Sequence, residues 1–105
     1  SAPLFAETGL LLTKVSLIGK TGQFMRLQVK NSHGQTSELL SFDCKERLEQ
    51  AVCKSYSQER WNRLTSDKDE EIPFDVVYSI GINSYNGRER QQIQLYDFRL
   101  GAGRA

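Results

Sequence analysis

The C-terminal third of the chain constrains its fold more than any other stretch, because residues 73–100 read as one long β-hairpin. Apolar or aromatic residues occupy alternate positions in its first half, the period of a strand with one buried face: Phe74, Val76, Tyr78, Ile80 and Ile82. Asn86-Gly87 follows, a dipeptide favoured in tight hairpin turns because both residues tolerate positive φ. In the returning segment, residues 88–100, Ile93 and Leu95 alternate with polar residues. A hairpin of this length is not stable alone in water, so earlier residues must supply further strands.

The composition is that of one folded domain with nearly balanced charge. The chain has 105 residues, 38% of them hydrophobic, and a formal net charge of +1. These values suit a single modest core and exclude a uniformly basic nucleic-acid-binding surface. The charges are nevertheless uneven, since residues 1–42 hold four basic side chains against Glu7 and Glu38, whereas the acids concentrate in residues 67–71. A locally positive face therefore remains compatible with the neutral total.

Three strands are predicted in the N-terminal half. Residues 8–18 are rich in apolar and β-branched side chains, and a change of phase near Thr13-Lys14 predicts a bulge or bend. A turn at residues 19–22 leads to residues 24–30, the clearest alternation in the sequence. Its inward side chains are Met25, Leu27 and Val29, and its outward side chains are Phe24, Arg26, Gln28 and Lys30.

The third strand and a helix complete the middle of the chain. After a turn at residues 31–35, residues 36–42 are predicted to form a strand that buries Leu40 and Phe42. Residues 43–64 then show apolar side chains at three- and four-residue steps, which predicts an amphipathic helix capped by Asp43 with Glu46 three residues on. The propensity weakens at residues 55–57, where the helix could end before a second short turn. The acidic residues 65–71 are expected to form a solvated loop.

The order of elements, three strands, a helix and two strands, favours an OB-fold, an all-β five-stranded Greek-key barrel with one helix. An SH3-like barrel usually lacks so long a helix, and a ferredoxin-like fold needs helices in other places. We expect one domain over residues 8–100, an unstructured or cloning-derived start (residues 1–7) and a tail (residues 101–105).

No catalytic or metal-binding constellation is predicted. His33 is the single histidine and lies in a turn, and the acidic run at residues 67–71 lacks the spacing of a calcium loop. Cys44 and Cys53 form neither a CxxC motif nor metal-finger spacing. With no signal peptide and no long apolar run, we expect a reduced, cytoplasmic setting without a membrane partner.

Binding chemistry is better supported. Phe24 can stack on a base, and Arg26 and Lys30 can offset phosphate charge on the strand face where OB-folds commonly bind oligonucleotides. The predicted DNA-binding set joins this face to the turn before it and to the hairpin: Lys20, Phe24, Arg26, Gln28, Lys30, Tyr85, Arg88 and Arg90. The alternatives are a strand face charged for solubility and an ordinary hairpin whose Tyr85 covers the barrel end.

Two segments resemble a known family. NSYNGRERQQIQLYDFR, residues 83–99, resembles the closing hairpin of the C-terminal OB domain in RecJ-type single-strand-specific DNA exonucleases. GKTGQFMRLQVK, residues 19–30, is similar to the family's Gly-Lys-x-Gly turn and following strand. Ser84 departs from the pattern where an acid is usual, Gln91 where an apolar residue is usual, and Phe24 where a histidine is common. The segment at residues 43–71 is also longer and more polar, similar to divergent, cyanobacterial members.

The resemblance implies an accessory domain that holds single-stranded DNA at the entrance to a 5′–3′ exonuclease core in bacterial DNA repair and recombination. The family's nuclease core uses aspartate- and histidine-rich motifs that bind manganese or magnesium. None of these motifs occurs here, so the resemblance implies no catalytic residue and no cofactor in this chain. The alternative implied partner is the nuclease core of the same protein, or another protein, on which the barrel would dock without binding DNA.

Overall fold

The computed structural model describes residues 2–20 and 24–101, apart from the side chains of Asn83 and Tyr85. These residues form five strands and two helices. In chain order they are β1 (Phe5–Ile18), β2 (Phe24–Lys30), β3 (Thr36–Ser41), α1 (Lys45–Ser55), α2 (Gln58–Leu64), β4 (Ile72–Tyr85) and β5 (Arg88–Leu100). The predicted turn at residues 19–22 and the predicted tail lie partly outside the described residues.

The strands form a closed barrel in the order β1-β2-β3-β5-β4, with β1 paired to β4. All neighbours are antiparallel except β3 and β5, which run parallel and share one residue pair, Leu40 with Gln94. The mostly-β barrel predicted from the order of elements is therefore confirmed, although two helices stand where one was expected.

β1 pairs with both β2 and β4, and its register shifts once with each neighbour. Its register with β2 shifts between Leu12 and Lys14, where the sequence predicts a bulge. Its register with β4 shifts between Glu7 and Leu10, at Gly9, whose φ of +74° suits a residue without a side chain. The Gly9 N–H donates to Asp75 Oδ1 at 2.9 Å, so β4 satisfies the backbone group that the irregularity leaves unpaired. β1 begins at Phe5, earlier than the predicted start at residue 8.

The barrel interior and the helices share one core. Met25, Leu27 and Val29 point inward as predicted. The helices connect the end of β3 to the start of β4, and their side chains Leu48, Val52, Trp61 and Leu64 join the barrel residues. The helices therefore cover the end of the barrel at which β3 ends and β4 begins.

The prediction that β3 buries Leu40 and Phe42 is wrong by one residue. Leu39 and Ser41 point inward, Leu40 is half-buried, and Phe42 is 45% exposed. Pairing with β2 sets this phase, because Met25 lies opposite Ser41 and Leu27 opposite Leu39. A one-residue slip would turn every side chain of the strand to the other face.

The helical segment also differs from its prediction. α1 begins at Lys45, and Asp43 does not cap it; the N-cap position is Cys44, without a side-chain capping bond. The Cys44 N–H instead donates to the buried Ser41 Oγ at 3.2 Å. The break before α2 lies at residues 56–57, where Ser57 Oγ accepts from the Arg60 N–H at 3.1 Å. A serine cap favours starting a new helix over continuing the old one.

The β4–β5 hairpin confirms the predicted turn, with φ of +51° at Asn86 and +75° at Gly87. Pairing of β4 with β1 ends at Tyr78, so the outer part of the hairpin extends beyond the barrel. The prediction that Ile80 and Ile82 are buried is wrong, because they are 40% and 70% exposed on this extension. In the part of the chain that the structure describes, neither helix is long and apolar enough to span a membrane.

Candidate nucleic-acid interface

The outer face of β2 carries the four side chains that the alternation predicts there. Phe24, Arg26 and Gln28 are exposed and Lys30 is half-buried, while the residues between them face the core. β1 and β3 flank this strand on either side. The face is therefore a shallow sheet surface with an aromatic group at one end and a lysine at the other.

Phe42 joins Phe24 at the aromatic end. Their ring centroids lie 5.3 Å apart at an interplanar angle of 76°, an edge-to-face contact. The predicted phase of β3 placed Phe42 in the core, so this residue of the surface was missed; correct pairing of β2 with β3 would have revealed it. Gly19 lies against Phe24, and the exposed Lys20 follows it directly.

Three cations on the outer face of β1 and β2 already have carboxylate partners. Arg26 Nε lies 3.0 Å from Glu38 Oε1 on β3. Lys30 is bonded to Glu71, and Lys14 on β1 lies 3.4 Å from Asp67 Oδ1. Two of the three carboxylates come from the segment between α2 and β4, residues 65–71, here named the acidic loop. Its position over β1 and β2 has no local signal in the sequence, because only the folded barrel brings these segments together.

Helix α2 holds the acidic loop in place. Arg60 donates to Glu70 Oε1 at 2.6 Å and to the Glu71 carbonyl at 3.0 Å, and Arg63 donates to the Asp69 carbonyl at 2.8 Å. The Glu70 side chain is only 8% exposed. The hydrogen bond from Arg60 lowers the pKa of Glu70, opposed in part by burial. The loop is thus attached to α2 through a partly desolvated ion pair.

Arg88 and Arg90 lie on the hairpin, opposite residues 85 and 83 respectively. Both are exposed, and neither forms an ion pair with a residue that the structure describes. The pairing of Leu40 with Gln94 puts the outer faces of β3 and β5 side by side. Because side chains alternate along a strand, Arg88 and Arg90 share the face of Gln94. The Tyr85 side chain lies outside the described part, so its stacking role stays a prediction.

Most of the predicted binding residues lie on one outer surface, in three separate groups. Lys20 and Phe24 lie at one end, Arg26, Gln28 and Lys30 run along β2, and Arg88 and Arg90 lie on the hairpin. Among the described residues, no group of three His, Cys, Asp or Glu side chains is arranged to hold a metal ion. The surface can offer aromatic contacts and cations to a ligand.

Comparison with known proteins identifies the family. The chain matches the RecJ OB domain family over residues 1–97. No curated protein matches it significantly. Since the family match covers nearly the whole sequence, and the five-stranded barrel agrees with it, this chain belongs to the RecJ OB domain family.

Proposed function

We propose that this domain binds single-stranded DNA as an accessory module of a RecJ-like 5′–3′ single-strand exonuclease that acts in bacterial DNA repair and recombination. The DNA would cross the outer face of β2 and β3 and continue along the outer face of the hairpin. Phe24 and Phe42 would contact bases, while Lys20, Arg26, Lys30, Arg88 and Arg90 would contact phosphates.

One observation carries the proposal: the β2–β3 face continues onto a hairpin face with two arginines that no described carboxylate neutralises. Arg88 and Arg90 lie on the same face of β5 as Gln94, and Gln94 pairs with Leu40 on the neighbouring strand β3. Such guanidinium groups, on a face that continues toward the Phe24–Phe42 pair, suit a single strand, since it presents both phosphates and unstacked bases. Family membership supports the same reading.

Catalysis belongs, in this proposal, to a separate nuclease core of the parent protein. That core would use manganese or magnesium, and the OB domain would raise the local concentration of substrate at its entrance. The expected setting is the cytoplasm.

The test is a titration of fluorescently labelled oligothymidylate, followed by anisotropy at several salt concentrations. We expect measurable affinity at low salt that falls as salt rises, because phosphate contacts release counterions. R88Q/R90Q should lower the magnitude of the log–log salt slope by about 1.4, the value for two lost contacts to a single strand. The charge-matched control is K45Q/K54Q on α1. Absence of binding at low salt, or equal effects of the two double variants, would contradict the proposal.

Docking on the nuclease core is a second candidate, and it is favoured by the apolar face of the hairpin. Ile80 and Ile82 are exposed, and the Phe5 ring stacks on Tyr78 nearby with centroids 5.6 Å apart. If this face is an internal interface, I80S/I82S in the intact parent nuclease should lower the midpoint temperature of thermal unfolding and leave DNA affinity unchanged. An unchanged midpoint would exclude that role.

A further inference from the structure

Two lysines on the outer face of β1 and β2 form ion pairs with carboxylate side chains of the same chain. Lys14 pairs in register with Gln28, and Lys30 lies two residues further along β2, so the lysines are diagonal neighbours on one face. Asp67 and Glu71 of the acidic loop contact them. A cleft of about 740 Å³ lies between strands and loop, lined by both lysines and both carboxylates.

We propose that Lys14 and Lys30 form a phosphate-binding pair, and that the acidic loop is its resident anionic ligand, which single-stranded DNA displaces. This deepens the DNA-binding function proposed above and rests on it. It adds Lys14 to the binding surface, and it assigns the acidic loop the role of an internal competitor for nucleic acid.

The acidic loop is fixed to α2 by hydrogen bonds from Arg60 and Arg63, whereas its two contacts with the lysines are exchangeable. Glu70 is 8% exposed and lies 2.6 Å from Arg60 and 3.6 Å from Arg63. By contrast, the Asp67 side chain is fully exposed and that of Glu71 is 51% exposed. Exposed ion pairs contribute little to stability, so another anion can replace the carboxylate easily. Breaking a buried ion pair costs much more free energy. DNA phosphates can therefore replace the carboxylates on both lysines, while Glu70 keeps the loop attached to α2.

Neutralising the two exchangeable carboxylates should strengthen DNA binding. D67N/E71Q removes the internal anions and preserves the shape of both side chains. Since phosphates would no longer compete with carboxylates, we expect affinity for oligothymidylate at low salt to rise about three- to tenfold, with a salt slope steeper by about 1.

Matched variants separate this effect from a change in net charge. E46Q/E59Q removes two acids from the first turns of α1 and α2, where neither forms an ion pair with a described residue. It should raise affinity far less than D67N/E71Q. Adding K14Q/K30Q to the neutralised loop should abolish the gain, whereas adding K45Q/K54Q should leave most of it.

A second polyanion distinguishes the two proposals. Elution from immobilised dextran sulfate measures access to the lysines without requiring DNA, and circular dichroism confirms that each variant is folded. Later elution of D67N/E71Q than of E46Q/E59Q, with no DNA binding by any variant, would support the lysine pair and overturn the DNA function. Equal behaviour of these two variants on both ligands, with wild-type DNA binding intact, would overturn the lysine pair alone.

Discussion

Ser41 is a buried polar residue whose hydroxyl joins the barrel wall to the first helix. It is 1% exposed, and its Oγ accepts from the N–H of Cys44 at the helix start. The first N–H groups of a helix lack partners within the helix. Ser41 therefore provides, from within the core, an acceptor for the N–H of the N-cap residue Cys44.

Ser41→Ala should lower the free energy of unfolding by about 1–3 kcal/mol, because a buried N–H loses its acceptor. Urea denaturation followed by far-UV circular dichroism measures the change. Ser37→Ala, at an exposed position of the same strand, should stay within about 0.5 kcal/mol of the wild type. Equal stability of the two variants would contradict the role given to Ser41.

Gly19 lies close to the Phe24 ring and has a backbone conformation that favours glycine. Its φ is +85°, and a Cβ there would lie 3.2 Å from Phe24 Cδ2. Gly19→Ala should cost about 1–2 kcal/mol of stability, because a side chain disfavours the left-handed region. It should also weaken DNA binding by moving Phe24. Gly81→Ala is the control, since its nearest neighbour would be a backbone oxygen at 4.0 Å; similar losses in both variants would refute the argument.

Among the elements, β1, β4 and β5 are joined through one carboxylate. Asp75 on β4 accepts from the Gly9 N–H and from Arg99 Nε at 2.7 Å. The hydrogen bond from Arg99, and then the one from Gly9, lower the pKa of Asp75. The Asp75 side chain thus stabilises the irregularity in β1 at Gly9 and forms an ion pair across to Arg99 on β5.

This shift predicts the acid limb of the stability curve. Because the folded-state pKa of Asp75 is lowered, its contribution is complete above the unfolded-state value of about 3.9 and is lost as the pH falls through the folded value. Asp75→Asn keeps an acceptor for Gly9 but removes the charge facing Arg99. Urea unfolding between pH 2 and 7 should therefore show a shallower acid decline for this variant. Asp69→Asn, at an exposed loop position, should retain the wild-type slope; a wild-type slope in Asp75→Asn would exclude the mechanism.

Elements with a local period were predictable, and contacts between distant elements were not. The alternation of β2 and the Asn86-Gly87 turn each depend only on residues that are adjacent in the sequence, so both were predicted correctly. The phase of β3 was not, because pairing with β2, and not the larger side chains, decides whether Leu39 or Leu40 faces the core. The contacts of Lys14 and Lys30 with the acidic loop join residues about forty or more positions apart, beyond the reach of any local pattern.

At the scale of the whole molecule, the barrel wall is least firmly joined between β3 and β5. Their ladder contains one residue pair, whereas β4 and β5 pair along nearly their full lengths. Opening at this line requires the loss of few hydrogen bonds, so it should cost less free energy than unfolding the barrel.

Native-state hydrogen exchange tests this difference within a single strand. Around Gln94, where β5 adjoins β3, successive amides of β5 point alternately toward β3 and toward β4. Those facing β3 should exchange faster, with a smaller free energy of opening, than those facing β4. Equal protection on the two sides would show that the wall opens only with the whole barrel.

The pairing of β1 with β4 has a consequence for the order of events during synthesis. Phe5 pairs with Tyr78, so the first strand must wait for a partner made roughly 70 residues later. At typical rates of translation this delay is roughly 4 to 14 s. During that interval the three strands made first can pair with one another, but one edge of β1 stays open beside apolar residues that later enter the core. The nascent chain is therefore most exposed to aggregation just before the final hairpin emerges.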